Sequence, residues 1–135
     1  MSTLAHTVTR SVVLDAPPAD VWEAITDEAA LSEWLAPEVE LEPEEGGEVV
    51  CRYEDGCERR GEVELVEEAE RLAFRWWRED AGPSRVEFTV DRVAEGTRLV
   101  VTESGLLPSA TPLLAAGWAP RLLALRLQLG RVVLA

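Results

Sequence analysis

Apolar and polar residues alternate through the middle of this sequence, and that two-residue period restricts the chain to a fold built on a sheet. The alternation runs through residues 46–68, 71–77 and 84–92, and a further segment rich in β-branched residues covers 97–104. Successive side chains of a strand point to opposite faces, so this pattern is typical of strands with one buried face. The short connections between the segments favour an antiparallel meander.

Helical patterns flank the alternating region. An early strand is predicted at residues 7–14, followed by two short amphipathic helices. Asp20 is the expected cap of a first helix that begins at Val21, and Asp27 is the expected cap of the second. The Leu-rich segment 112–134 predicts a long helix at the C-terminus. The order of these elements indicates an α+β fold.

Length and charge narrow the class of protein further. A chain of 135 residues fits a single domain, 1–135. The net charge of −13 opposes binding to a phosphate backbone, so no nucleic-acid partner is expected. The sequence has no apolar run of about 18 residues and no signal-peptide pattern after Met1, so we expect a cytoplasmic protein without integral membrane contact. Cys51 and Cys57 are then expected to be reduced thiols.

Few residues in the sequence could carry catalysis or hold a metal. His6 is the single histidine, which excludes Ser-His-Asp and Cys-His arrangements as well as metal sites built from histidines. Gly46 and Gly47 do not follow the strand-to-helix pattern of a phosphate-binding loop. The acidic segment 38–70 lacks the ligand spacing of a calcium-binding EF-hand. We therefore expect neither a metal nor a cofactor.

Five segments, taken in order, resemble the START-like (SRPBCC) superfamily. They are LDAPPADVWEAITDEAALSEWL, EGGEVVCRY, RGEVELVEEAERLAFRWW, GTRLVVTESGL and GWAPRLLALRL. Within that superfamily the chain is most similar to the branch named for homology to the activator of the heat-shock protein 90 ATPase. The resemblance implies the helix-grip fold. In that fold a curved antiparallel sheet of six to seven strands wraps around a long C-terminal helix, with two short helices after the first strand.

The resemblance also implies an apolar cavity between the sheet and the C-terminal helix, suited to a small hydrophobic molecule. Alternation along the matched strands and the helix then predicts which side chains face it. The predicted ligand-binding residues are Trp34, Val49, Cys51, Tyr53, Arg59, Phe74, Trp76, Phe88, Val101, Glu103, Trp118, Leu122 and Leu125. For the apolar members, plain packing in the core is the alternative interpretation.

Glu103 is the polar exception on this predicted face, at a position where many relatives carry a histidine. A carboxylate that faces inward needs a partner. If Gly61 and Val63 face inward, Arg59 also does and could neutralise Glu103, with the hydroxyl of Tyr53 nearby. These groups are the candidate set for orienting a polar ligand or assisting proton transfer. The alternative is that Glu103 lies in water at the end of its strand.

The C-terminal segment is more apolar than a single buried face requires. One stripe at helical spacing consists of Trp118, Leu122, Leu125, Leu129 and Val132. Leu123, Leu127 and Leu134 lie outside that stripe and predict an exposed apolar patch. We therefore expect a homodimer through the C-terminal helix. Peripheral contact with a membrane is the weaker alternative, because the acidic body would be repelled by an anionic surface.

Three functions are compatible with these features. The favoured one is a small START-like protein that binds a small hydrophobic ligand in the cavity. The alternatives are a protein-interaction or chaperone-stimulating module, and an enzyme of the cyclase or dehydratase kind that uses Glu103.

Overall fold

The computed structural model describes residues 6–54, 56–77, 83–106 and 111–130 of the chain. Within these ranges ten elements follow one another. They are β1 (His6–Leu14), α1 (Pro18–Thr26), α2 (Glu28–Trp34), β2 (Glu38–Leu41), β3 (Glu48–Arg52), β4 (Glu58–Glu67), β5 (Arg71–Trp77), β6 (Ser84–Val93), β7 (Gly96–Leu106) and α3 (Thr111–Gly130). This order confirms the predicted α+β helix-grip architecture.

The seven strands form one antiparallel sheet in the order β1-β7-β6-β5-β4-β3-β2. Strands β2 to β7 form a meander, and β1 joins the far edge beside β7. Strand β2 was not predicted from the alternation of side chains. It has only four residues within an acidic segment, and its buried side chains are Val39 and Leu41. A pattern of two apolar residues among glutamates is too short to stand out from a solvated loop.

The two short helices begin in different ways. The carboxylate of Asp27 accepts the backbone N–H of Ala30 at 2.9 Å, so the predicted cap of α2 is confirmed. The prediction for α1 was wrong: the helix begins at Pro18, and Asp20 lies in its first turn. Proline has no N–H to satisfy, and its fixed φ suits the first helical position, so α1 begins earlier than the expected cap.

The concave face of the sheet packs against α3. Trp118, Leu122 and Leu125 of α3 are buried, whereas Leu123 and Leu127 are 55% and 59% exposed. The predicted stripe and the predicted exposed patch are therefore on opposite sides of this helix. Val132 and Leu134 lie outside the described residues. In the part of the chain that the structure describes, no helix combines the length and apolar character that a membrane crossing requires.

A close approach of two strands shapes the sheet beneath α3. Gly61 of β4 pairs with Trp76 of β5, and a Cβ atom added to Gly61 would lie 1.8 Å from the carbonyl oxygen of Arg75. Further along the same pair, the register shifts between Val63 and Leu65. A bulge of this kind increases the local twist and bends the strand. The result is a curved sheet that can enclose one face of a helix.

Candidate functional site

Glu103 lies at the centre of the interface between the sheet and α3, and only 1% of its surface is exposed. Trp118 donates its indole N–H to Oε1 of this carboxylate at 2.9 Å. Oε2 accepts the indole N–H of Trp76 at 3.0 Å and the hydroxyl of Ser84 at 2.6 Å. Nη1 of Arg59 lies 3.8 Å from the same oxygen. The alternative prediction, that Glu103 lies in water, was wrong.

Strand register brings these polar groups together from distant parts of the sequence. Glu103 is paired with Val86 of β6, and Ser84 two residues earlier is paired with Trp76 of β5. Because residues two apart on a strand share a face, Ser84, Trp76 and Glu103 all lie on the concave side. Arg59 lies on that same side, two residues before Gly61 of β4. The structure therefore places Arg59 beside Glu103, as the register argument predicted.

Both oxygens of this carboxylate already accept hydrogen bonds and the group is almost fully buried, which limits its access to a substrate. Hydrogen bonds to a charged group are shorter and stronger than neutral ones, and a buried carboxylate needs them. A general base needs a free lone pair directed at the proton that it removes. Glu103 directs its oxygens at two indoles, a hydroxyl and a guanidinium. The arrangement suits a structural link between sheet and helix better than proton transfer.

Aromatic rings fill the space around this carboxylate. Trp76 and Trp118 are stacked with ring centroids 6.5 Å apart, and Phe88 meets Trp118 edge-on at 5.9 Å. Phe74 packs edge-on against Trp76 at 5.2 Å, and Trp34 packs edge-on against Phe88 at 5.9 Å. These five aromatic rings therefore pack against one another beside the carboxylate.

The remaining predicted apolar residues belong to the same core. The buried cluster includes Val49, Cys51, Val101, Leu122 and Leu125, and Tyr53 packs against it. The structure thus places the predicted apolar residues together. Their contact with a ligand stays a prediction.

A groove of about 410 Å³ opens at the edge of this core. It lies between the C-terminal end of α2, the segment after β3, and α3. Its lining residues are Ser32, Glu33, Trp34, Leu35, Ala36, Pro37, Tyr53, Glu54 and Arg121. Trp34 and Tyr53 belong to the residues predicted from the sequence. Arg121 was not among them, because a charged residue on a Leu-rich helix is typical of the solvent-facing side.

Arg121 is held in place by aromatic rings. Its guanidinium lies 5.8 Å from the centroid of the Tyr53 ring and 5.4 Å from that of Trp118. Attraction between a cation and the face of a ring stabilises such contacts by about 0.5–2 kcal/mol. Arg59 makes the equivalent contact deeper in the core, 4.5 Å from the Trp76 ring. Of these two guanidinium groups Arg121 lines the groove, and both are close enough to Tyr53 for their charges to act on it.

The environment of Tyr53 and Cys51 keeps both side chains protonated. Burial raises the pKa of the Cys51 thiol from 9.0 to about 12, against the opposing effect of the Arg121 and Arg59 charges. Burial also raises the pKa of the Tyr53 hydroxyl. Within the described residues, neither the buried Tyr53 hydroxyl nor Nε of Arg59 has a hydrogen-bond partner. These two donors remain available to a further polar group.

Metal binding finds no support in the described ranges. In that part of the chain, no group of three or more His, Cys, Asp or Glu side chains could hold a metal ion. The groove itself offers Glu33 and Glu54, both of which are exposed. The remaining polar groups in and beneath it are mainly donors.

Comparison with known proteins gives one family. The family model described as Activator of Hsp90 ATPase homolog 1-like protein matches residues 15–127. No curated protein matches the sequence. The solved structure of protein MLL2253 from Mesorhizobium loti is 27% identical, with a TM-score of 0.87, and the match covers 93% of this chain and 98% of that one.

Two further solved structures show the same fold. DynU16, described as a putative protein in the dynemicin biosynthetic locus, is 32% identical with a TM-score of 0.80 over 89% of this chain and 45% of its own. The Aha1 dimer from Colwellia psychrerythraea is 18% identical with a TM-score of 0.79 over 92% of this chain and 96% of its own. At that identity the similarity shows the fold alone.

Proposed function

We propose, because this chain belongs to the family of Activator of Hsp90 ATPase homolog 1-like proteins, that it binds a small and largely apolar molecule in the groove between α2, β3 and α3. Family membership confirms the resemblance found in the five sequence segments. The observation that carries the proposal is the groove itself, whose volume of about 410 Å³ falls within the usual range for small-molecule sites.

The chemistry of the groove supports an apolar ligand. Trp34, Leu35 and Ala36 form one wall, and the Tyr53 ring forms part of another. All four belong to the core cluster or pack against it. A ligand in the groove would therefore extend the aromatic packing beneath α3. One relative, DynU16, is a putative protein of a biosynthetic locus, which is compatible with a small-molecule ligand.

Binding is favoured over the enzymatic alternative because of the geometry at Glu103. A cyclase or dehydratase would need this carboxylate to exchange a proton with a substrate. Trp76, Trp118 and Ser84 occupy it with hydrogen bonds instead. No observation in the groove points to a chaperone partner.

Fluorescence titration with N-phenyl-1-naphthylamine, a neutral aromatic probe, tests the proposal. Saturable binding is expected for the unmodified chain. Pro37→Trp places a large side chain at the groove and should weaken binding about tenfold. Pro43→Trp makes the same change at an exposed residue that does not line the groove, and it should leave binding unchanged. Absence of saturable binding, or equal loss in both variants, would contradict the proposal. Native mass spectrometry of freshly purified protein would show whether a compound is retained.

We also propose that the chain forms a homodimer through α3. Leu123 and Leu127 are four residues apart and therefore neighbours on one side of the helix. Both are more than half exposed. Contiguous exposed apolar surface of this kind favours a protein partner. The related Aha1 protein from Colwellia psychrerythraea is a dimer, which supports a second copy as that partner.

Light scattering coupled to size-exclusion chromatography tests the dimer. Leu123→Glu combined with Leu127→Glu should give a folded monomer. Trp77→Glu makes a similar change at an exposed apolar residue of β5 and should leave the dimer intact. A dimer that persists in the double variant would disprove this interface.

A further inference from the structure

The charge of the groove restricts the ligand further than its apolar walls do. Arg121 lines the groove, and within the described residues it has no carboxylate partner. The sheet differs, because Arg52, Arg60 and Arg85 each form ion pairs with glutamates. Residues 104–135 contain no acidic residue that could neutralise Arg121 from its own helix. The positive charge of Arg121 is therefore available to a ligand.

Two unused donors lie on the neighbouring concave face. Arg59 is paired with Cys51 across β3 and β4, and Tyr53 follows Cys51 by two residues. The side chains of Arg59 and Tyr53 are therefore diagonal neighbours on one face of the sheet. Neither the hydroxyl of Tyr53 nor Nε of Arg59 has a hydrogen-bond partner among the described residues. A buried donor without an acceptor costs about 1–3 kcal/mol, so an acceptor at this place would be strongly favoured.

The acidic groups around the groove limit the ligand to one charge. Glu33 and Glu54 line the groove, and both are exposed to solvent. Water and salt weaken their effect on a charge placed farther inside. A second negative charge near these two carboxylates would be repelled. Glu103 lies deeper and already has its own set of donors.

We infer that the groove binds an aromatic monocarboxylate, with Arg121 as its charge partner and the Tyr53 hydroxyl as a further donor. The aromatic body packs against Trp34 and Leu35, and the carboxylate points towards the guanidinium of Arg121. The inference rests on the proposed function, since it names the class of ligand for that same groove.

Calorimetric titration with 2-naphthoate and with 2-naphthamide separates charge from shape, because the two probes differ only in the ionised group. The unmodified chain should bind 2-naphthoate at least tenfold more tightly than 2-naphthamide. Arg121→Gln should abolish that preference, because it should weaken binding of the acid far more than binding of the amide. Arg121→Lys should keep part of the preference, and Tyr53→Phe should weaken binding of the acid by about threefold or more and binding of the amide by less, because a charged acceptor makes the stronger hydrogen bond.

Arg126→Gln is the matched control, because Arg126 is an exposed arginine of the same helix that does not line the groove. It should leave the preference for the acid unchanged. Equal affinities for the two probes in the unmodified chain would overturn the anion inference and leave the proposed groove intact. Lack of saturable binding by both probes would overturn the proposed function and this inference together.

Discussion

Trp118 donates its indole N–H to Glu103 across 2.9 Å, and this bond joins α3 to β7 in the interior of the protein. Trp76 donates to the other oxygen of the same carboxylate from β5. Apolar packing alone tolerates some sliding of a helix over a sheet, because it has little directionality. Hydrogen bonds to a single buried carboxylate are directional and allow one arrangement. We therefore attribute the fixed position of α3 on the sheet to the hydrogen bonds at Glu103.

Replacement of Glu103 by glutamine should destabilise the protein by about 2–4 kcal/mol. The shape is kept, but one carboxylate oxygen becomes an NH₂ group that must face an N–H or O–H donor. That leaves a buried donor unsatisfied and Arg59 without its counter-charge. Urea unfolding at neutral pH measures the change. Glu62→Gln, at an exposed position of β4, is the control and should change stability by less than about 0.5 kcal/mol. Equal effects in the two variants would show that the buried carboxylate is not the link.

Alanine at Gly61 should be among the most damaging small substitutions in the sheet. The added Cβ would lie 1.8 Å from the carbonyl oxygen of Arg75 and 2.8 Å from Cα of Trp76, and both are backbone atoms. The strands must separate locally, so we expect a loss of about 3 kcal/mol. Gly117→Ala provides the comparison, since its Cβ would meet only the Arg121 side chain at 3.6 Å. In a helix that change should stabilise by about 0.5–1 kcal/mol. A mild effect at Gly61, seen in thermal unfolding of both variants, would disprove the close contact.

Stability should fall at alkaline pH because Cys51 is buried. The pKa of its thiol is raised from 9.0 to about 12 in the native state. Between these values the unfolded chain has released the proton and the native protein still holds it. The free energy of unfolding therefore decreases as pH rises, by about 2 kcal/mol between pH 9 and 10.5. Below pH 9 this contribution is fully present.

Comparison with Cys51→Ala isolates the effect of this thiol. The stability difference between the two proteins should be constant from pH 7 to about 8.5 and should then shift in favour of the alanine variant. Tyr53, whose pKa is also raised, is present in both proteins and cancels. Urea unfolding in the presence of a reductant at each pH gives the difference. Parallel curves up to pH 11 would contradict a buried, protonated thiol.

Asp27 and Asp20, which lie at the starts of the short helices, should differ in how much they contribute to stability. Asp27 accepts the N–H of Ala30 as the cap of α2, so Asp27→Ala should cost about 1 kcal/mol. Asp20 makes only a first-turn contribution to α1, and Asp20→Ala should cost less than about 0.5 kcal/mol. Chemical denaturation of both variants measures the two losses of unfolding free energy. A larger loss of stability in Asp20→Ala than in Asp27→Ala would indicate that Asp20 caps α1.

The alternation of side chains predicted most of the fold, because a strand with one buried face must repeat with a period of two. It identified the faces of β5, β6 and β7 and the buried side of α3. It missed β2, since four residues carry too little pattern, and it started α1 at the wrong residue. In the latter case proline supplied the start that a capping side chain was expected to provide.

The candidate site, like the fold, was predicted from the sequence only in part. Local alternation predicted an inward Glu103 with water at the strand end as the alternative, and it predicted an inward Arg59 only if Gly61 and Val63 face inward. The structure decided both in favour of the inward position. The indole donors were not foreseen as partners of Glu103, and Arg121 was not foreseen in the groove. Both depend on the rotation of α3 over the sheet, which no local pattern contains.

The sequence by itself determined most of the elements, their order and the faces that they bury, since these follow from side-chain periodicity along each segment. Only the tertiary structure decided how the carboxylate of Glu103 is satisfied and where the groove opens. Those outcomes depend on contacts between residues far apart in the chain, such as Trp76 and Trp118. Their geometry is fixed when helix and sheet pack together.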